Sequence, residues 1–119
     1  MDFKLPESDR KVLEQLWEMD GLPASELADR LRKQVGWSTT TTYTIVKRCI
    51  GKKLVSRSDP GFVCRALVTR AQVCRQETEA LLDRDYGGSA IRLLDTLLHG
   101  RKLSQDEISR LRKLIEELP

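Results

Sequence analysis

Apolar residues in the first third of the chain recur with the period of an α-helix. A first helix is predicted from the recurring positions Val12, Leu13, Leu16 and Trp17. The segment Pro6-Glu7-Ser8 begins this helix, and Asp20-Gly21-Leu22-Pro23 ends it. A second, shorter helix follows with one apolar face, formed by Leu27, Ala28 and Leu31. Gly36 ends that helix, because glycine readily adopts the left-handed backbone of a helix C-terminus.

The third predicted helix combines an apolar stripe with a polar outer face. Ser38 is a natural N-cap for it. The stripe consists of Thr42, Ile45, Val46 and Cys49. Two strands then follow, Leu54–Arg57 and Phe62–Val68, around a turn that contains Pro60-Gly61. Three helices followed by a two-stranded ribbon is the order of elements in a winged helix.

Leucine dominates the composition after Thr69, and three further helices are predicted there. One spans about residues 70–85, a second begins after Ser89, and the last begins at Ser104, which forms a capping box with Glu107. We therefore expect a mostly α fold with a small β-ribbon. Residues 1–68 would form a winged helix-turn-helix DNA-binding domain, and residues 69–119 a helical dimerisation arm.

Charge is distributed unevenly along the 119 residues, although the net charge is only +3. Residues 1–33 carry six basic and eight acidic side chains, and residues 59–119 carry ten of each. Residues 34–58 carry five basic side chains and no acidic one. The whole positive excess therefore lies on the third helix and the start of the ribbon. A basic, acid-free segment is typical of a surface that binds nucleic acid, and also of an ordinary solvated helix face.

The outer face of the third helix and the base of the ribbon supply the candidate DNA-binding residues. Small hydroxyl side chains let the backbone approach base edges, exchange hydrogen bonds and offer a methyl group to thymine. Lysine, arginine and tyrosine side chains reach phosphates, and arginine also reads guanine. The candidates are Thr39, Thr40, Thr41, Tyr43, Thr44, Lys47, Arg48 and Arg57. We expect Arg48→Ala to weaken DNA binding without disturbing the fold.

The C-terminal helices carry more leucine than three short helices can bury by themselves. In the last helix, Ile108, Leu111, Ile115 and Leu118 follow one another at spacings of three, four and three, which is typical of a helix–helix seam. The preceding helix adds Leu94, Leu97 and Leu98. Pairing of two chains would bury these side chains and supply the two-fold symmetry of a palindromic operator. The alternative is that they pack back on the N-terminal domain.

The sequence lacks the motifs typical of enzymes, metal-binding proteins and membrane proteins. Cys49, Cys64 and Cys74 form no C-x-C or C-x-x-C pair, and His99 is the single histidine. No glycine-rich phosphate loop or nucleophile elbow is present. The chain also contains no long apolar run and begins without a secretory leader. We expect a cytoplasmic protein that is not an enzyme and holds neither metal nor cofactor.

The chain resembles the penicillinase-repressor family, the BlaI/MecI type that also has copper-responsive CopY relatives. The resemblance extends from about Leu5 to Leu118. The matching pieces are Val12-Leu13-Glu14-Gln15-Leu16-Trp17, Gly36-Trp37-Ser38, Thr41 to Arg48, and Leu103-Ser104-Gln105-Asp106-Glu107-Ile108. The resemblance implies a bacterial transcriptional repressor that binds a dyad operator as a homodimer. It assigns DNA-facing positions to Thr40, Thr41, Tyr43, Thr44 and Arg48.

The chain departs from this family pattern at several positions. Family members typically carry a basic residue where Thr40 and Tyr43 stand here, so base preference is expected to differ. Lys53 stands where a helix-ending glycine is typical. Sensor-controlled members are cleaved at an Asn-Phe bond in the dimerisation arm, and the corresponding pair here is Thr96-Leu97. This difference argues against a signalling protease as partner, and the absent C-terminal cysteine cluster argues against release by copper.

Two other classes of function compete with the DNA-binding repressor. A winged helix can serve as a protein–protein interaction module without reading DNA, and its binding would then be insensitive to salt. A metal sensor or enzyme would need Cys64, Cys74 and His99 to act as ligands or catalytic groups. The acid-free stretch from Gln34 to Ser58 favours DNA as the partner.

Overall fold

The computed structural model describes residues 5–119 and is mostly helical, with one small antiparallel sheet. The elements in chain order are α1 (Glu7–Glu18), β1 (Leu22–Pro23), α2 (Ala24–Val35), α3 (Thr39–Gly51), β2 (Val55–Ser58), β3 (Val63–Ala66), α4 (Arg70–Tyr86), α5 (Ala90–His99) and α6 (Gln105–Glu116). This content confirms the predicted mostly α fold with a small β element. The chain divides into two compact units, residues 1–78 and 79–119, and the division falls within α4.

The sheet has three strands, one more than the predicted ribbon. Its order is β1-β3-β2, and all neighbours are antiparallel. Leu22 and Pro23, predicted only to end the first helix, pair with Cys64 and Val63 of β3. Their pairing adds an edge strand to the sheet directly before α2. Proline is tolerated there because an edge strand has one side free of ladder hydrogen bonds.

Helices α1, α2 and α3 surround the core of the first unit. The buried apolar side chains come from the predicted helix faces and from the inner side of the sheet: Val12, Leu13, Leu16, Leu22, Leu27, Leu31, Ile45, Val46, Cys49, Val55 and Cys64. Burial of the stripe on α3 leaves the opposite side of that helix to solvent. The core thus determines which side chains of α3 can meet a partner.

The helix boundaries follow from capping groups that the sequence contains. Gly36 has a φ of 76°, the left-handed conformation that ends α2. The Ser38 hydroxyl accepts a hydrogen bond from the Thr41 backbone N–H and begins α3. Ser104 and Glu107 form the predicted capping box at the start of α6. The last predicted seam residue, Leu118, lies just beyond α6, because that helix ends at Glu116.

Candidate nucleic-acid interface

Helix α3 presents its hydroxyl and basic side chains on one solvent-exposed side. Thr42, Ile45, Val46 and Cys49 are buried, as the predicted stripe requires. The exposed residues are Thr39, Thr40, Thr41, Thr44, Lys47 and Arg48, and Tyr43 is partly buried beside them. The sequence-predicted candidates on this helix therefore lie together on the surface.

Two of the exposed threonines have partly engaged hydroxyl groups. The Thr41 hydroxyl oxygen accepts a hydrogen bond from the Ser38 hydroxyl at 2.9 Å, so its own proton is free to donate. The Thr44 hydroxyl donates to the backbone carbonyl of Thr40 at 2.9 Å, which leaves its oxygen as an acceptor. The two side chains thus differ in the hydrogen-bonding groups that they leave free on the surface of the helix.

Arg48 differs from the other candidates because its guanidinium is bound within the protein. Its Nε donates to Oδ1 of Asp9 at 3.1 Å, and its Nη2 donates to the same carboxylate and to the Ser8 hydroxyl at 2.6 Å. Lys52 binds the other carboxylate oxygen of Asp9 at 2.7 Å. Arg48 therefore joins α3 to α1, so we expect its substitution to lower stability as well as DNA affinity, an effect that the sequence alone does not indicate. A contact between Arg48 and DNA stays a prediction.

Asp9 is the fully buried member of this cluster. Burial by itself would raise the pKa of the carboxyl group. The hydrogen bonds and positive charges of Lys52 and Arg48 outweigh that effect and hold the pKa of Asp9 below its ordinary value. Asp9 therefore remains charged at neutral pH and binds two basic side chains of the α3 end.

The second candidate surface is the β2–β3 hairpin, which we call the wing (residues 55–66). The Arg57 guanidinium lies over the ring of Phe62, with its central carbon 3.6 Å from the ring centroid. Its Nε also donates to both carboxylate oxygens of Asp59, at 3.1 and 3.3 Å. The Phe62 ring in turn meets the ring of Tyr43 edge to face, with centroids 5.7 Å apart and planes 81° apart. These contacts link the wing directly to α3.

Sequence reasoning missed three residues that organise this surface: Asp9, Lys52 and Phe62. The sequence pattern predicts Phe62 as the first residue of the second strand, whereas it precedes β3 with a φ of 47°. Lys52 belongs to the basic stretch, where the sequence indicates no partner for it. The one hint in the sequence is that Asp9 lies three and four positions before Val12 and Leu13, on the apolar face of the first helix. Long-range pairing over about forty residues has no signature in a single sequence.

The predicted dimerisation residues lie in the second unit. Helices α5 and α6 enclose a groove of about 360 Å³. Its walls are Leu94, Leu97, Leu98, Leu103, Leu111 and Leu114, with Arg101, Glu107 and Arg110 among the lining residues. Leu114, Ile115 and Leu118 are each more than half exposed, whereas Ile108 is partly buried. A single chain therefore leaves much of the predicted seam in contact with water.

The side chains that could act as metal ligands do not form a cluster among residues 5–119. Cys49 and Cys64 are buried and Cys74 is exposed, all as free thiols. Among residues 5–119, no three His, Cys, Asp or Glu side chains are grouped so that they could hold a metal ion. Within the same residues, none of the helices has the length and apolar character needed to cross a bilayer.

Comparison with known proteins agrees with this architecture. The sequence profile of the family described as Penicillinase repressor matches residues 5–117. The penicillinase repressor of Bacillus licheniformis is 23% identical over 116 residues, which cover 96% of this chain and 91% of that protein. The methicillin resistance regulatory protein MecI of Staphylococcus aureus strain N315 is 21% identical over 117 residues, which cover 97% of this chain and 95% of that protein.

A solved structure supports the fold of the N-terminal part. The solution structure of the DNA binding domain of the repressor BlaI aligns with a TM-score of 0.54 at 21% identity, and the alignment covers 60% of this chain and 93% of that domain. This likeness confirms the winged-helix fold, and the profile match spans nearly the whole chain. The chain therefore belongs to the penicillinase repressor family of DNA-binding transcriptional repressors.

Proposed function

We propose that this repressor binds a palindromic operator as a homodimer, with α3 in the major groove and the wing on the adjacent backbone. The observation that carries the proposal is the exposed side of α3, where hydroxyl groups and Lys47 form an acid-free surface next to Arg57. A recognition helix reads base edges with its N-terminal residues and holds phosphates with its flanks. The arrangement on α3 matches both requirements.

Each exposed side chain receives a role from its position and its free hydrogen-bonding groups. Thr39, Thr40 and Thr41 lie in the first turn of α3 and would face base edges. The Thr41 proton suits an acceptor such as guanine O6, and the Thr44 oxygen suits a donor such as an adenine or cytosine amino group. We assign Lys47 to a phosphate, because its side chain is exposed and no hydrogen bond or ion pair occupies it among residues 5–119.

Tyr43, Arg57 and Arg48 complete the proposed surface. The Tyr43 hydroxyl would reach a phosphate, and its ring is supported by Phe62. Arg57 would contact the backbone or the minor groove from the wing. Arg48 would combine two roles, because its side chain remains 44% exposed while it binds Asp9. The ion pair between Arg48 and Asp9 connects α3 to α1. We propose in addition that Arg48 contacts DNA.

Homodimer formation is proposed from the second unit. The groove between α5 and α6 is lined mainly by leucine, and its wall residue Leu114 is exposed, as are Ile115 and Leu118. Burial of apolar surface is worth about 25 cal/mol per Å², so leaving this surface wet is unfavourable. A second copy of α5 and α6 would cover it, which assigns residues 69–119 to dimerisation and residues 1–68 to DNA binding. Such a dimer would act in the cytoplasm, where the chromosome is.

Binding to DNA tests the proposal directly. A duplex is first selected from a random-sequence library with the wild-type protein, and its binding is followed by fluorescence anisotropy at several salt concentrations. We expect saturation at two chains per duplex, a dyad in the selected sequence and a steep loss of affinity with salt.

The control is a duplex of the same composition in shuffled order. Failure to select any duplex, or salt-insensitive binding, would contradict the DNA-reading function and favour the protein-interaction module. Equal affinity for the selected and shuffled duplexes would contradict a specific operator. Saturation at one chain per duplex would contradict the homodimer.

A further inference from the structure

The Phe62 ring touches the two proposed DNA-contacting side chains that come from different elements. We infer that Phe62 is a positioning residue of the DNA interface, which fixes Arg57 of the wing and Tyr43 of α3 as one preformed surface. This inference rests on the proposed DNA binding. It adds a residue that has no polar group of its own for DNA to contact.

Arg57 is held by two residues of the wing itself. The Phe62 ring supports the flat face of its guanidinium at 3.6 Å, and Asp59 binds its Nε. The side chain is still 43% exposed, so it remains accessible to a phosphate. The Asp59 carboxylate is itself 61% exposed and is exchanged for a phosphate more easily than the ring is displaced. The ring contact is therefore the one that persists when DNA is bound.

Phe62 is anchored through its backbone as well as through its ring. Its carbonyl oxygen accepts a hydrogen bond from the Ala24 N–H at 2.9 Å, at the first residue of α2. The φ of 47° is uncommon for a residue with a side chain and turns the ring toward Tyr43. The wing, the start of α2 and the recognition helix α3 thus meet at one residue.

Phe62 can contribute to DNA affinity by ordering the side chains of Arg57 and Tyr43 before DNA binds. A free arginine side chain loses much rotamer freedom when it contacts a phosphate, and that loss weakens binding. An arginine already stacked on a ring has lost part of this freedom before DNA arrives. The same argument applies to Tyr43, whose ring is restrained by the edge-to-face contact.

A double-mutant cycle between Phe62 and Arg57 tests the inference. The wild-type protein, Phe62→Leu, Arg57→Ala and the double variant are titrated against the selected duplex described above. We expect Phe62→Leu to weaken binding about five- to tenfold, because two chains each lose one stacked arginine. Arg57→Ala should then weaken binding by a clearly smaller factor in the Phe62→Leu background than in the wild type. Leu67→Ala, an exposed leucine just beyond β3, is the matched control and should bind like the wild type.

Two further variants keep the test decisive if Phe62→Leu unfolds. Phe62→Tyr retains the ring and should retain affinity within about twofold. Arg57→Lys retains the charge and changes an exposed residue, but lysine cannot stack as a planar group, so we expect about threefold weaker binding with an unchanged salt slope. Equal effects of Arg57→Ala in both backgrounds, or full affinity of Arg57→Lys, would overturn the role of Phe62. Either result would leave DNA binding by the wild type intact, whereas failure to select any duplex would reject the proposed function itself.

Discussion

The buried carboxylate of Asp9 on α1 binds the guanidinium of Arg48 on α3, with the Arg48 Nε 3.1 Å from the Asp9 Oδ1. Lys52 binds the second carboxylate oxygen. A buried charge of this kind is tolerated only when it is paired, because an unpaired carboxylate loses its hydration without compensation. Helix α3 is consequently attached to α1 by charge as well as by the apolar core.

The pH dependence of stability should report this attachment. The pKa of Asp9 lies below its ordinary value in the folded protein, and the unfolded value is about 3.9. Its contribution to the free energy of unfolding is therefore complete above about pH 4 and is lost as the pH falls through the folded pKa. We expect Asp9→Asn to lower stability at pH 7 by about 1–2 kcal/mol, since the two partners are half-exposed and can turn to water.

Urea denaturation between pH 2 and 7 checks this prediction. The difference between the wild type and Asp9→Asn should shrink as the pH falls below about 4. Glu7→Gln is the matched control, because Glu7 lies in the same turn but is 75% exposed, and its ion pair within residues 5–119 is with the exposed Lys11. A pH-independent difference between Asp9→Asn and the wild type would refute the charged state of Asp9.

Substitutions at the neighbouring residues Lys47 and Arg48 should have different effects on DNA binding and on stability. Lys47→Ala removes an exposed charge, so we expect unchanged thermal unfolding and a salt slope reduced by about two, since each of two chains loses one phosphate contact. Arg48→Ala should lower both the unfolding temperature and the DNA affinity, because it also leaves Asp9 with one partner fewer. Paired melting curves and salt titrations distinguish the two effects. The exposed Lys102 provides the control variant Lys102→Ala, and a loss of stability in Lys47→Ala would contradict the assignment.

Replacing Thr42 with valine should stabilise the folded protein. It is fully buried on the inner side of α3, and its hydroxyl has no hydrogen-bond partner within residues 5–119. Replacement by the similarly shaped valine removes the unsatisfied group, and we expect a gain of about 1 kcal/mol in the free energy of unfolding. Thermal denaturation measures it, with Thr39→Val at an exposed position of the same helix as control. A lower unfolding temperature for Thr42→Val would mean that the hydroxyl has a partner in solution.

The seam of α6 should determine the oligomeric state. Ile115 is 56% exposed, so Ile115→Asp should fold but place a charge on the proposed interface. We expect sedimentation equilibrium to show that Ile115→Asp is a monomer at micromolar concentration. Its affinity for the selected duplex should be lower, because one chain can occupy only one half of the duplex site. Leu111→Asp should also weaken the dimer and lower the affinity for the duplex. Ser109→Asp adds the same charge at an exposed position outside the predicted seam and should remain dimeric. A dimeric Ile115→Asp would show that the interface lies elsewhere.

The three cysteines should differ sharply in reactivity. Burial, together with the nearby charge of Asp9, raises the pKa of the Cys49 thiol to about 12. Burial also raises the pKa of Cys64, whereas Cys74 is exposed. We expect iodoacetamide at pH 8 to label Cys74 alone in the folded protein and all three in urea, as read by peptide mass spectrometry. Native labelling of Cys49 would contradict the packing of α3 against α1.

The local elements of this protein were determined by the sequence alone, because their causes are local. The helical spacing of Val12 to Trp17, the N-cap Ser38 and the Ser104–Glu107 box act within a few residues, and all three lie where they were predicted. The buried stripe of α3 was also predictable, and it indicated which side of the helix faces outward. Membership in the repressor family follows from the same local motifs.

Only the tertiary structure decided which side chains are occupied within the fold and which remain available to DNA. Arg48 and Lys47 are adjacent basic residues, yet one binds a carboxylate 39 positions away and the other does not. Phe62 joins the wing to α3, and Leu22 joins the sheet, through contacts that are distant in sequence. Such pairings depend on how the helices pack around the core. Periodicity and charge along one chain carry no information about them.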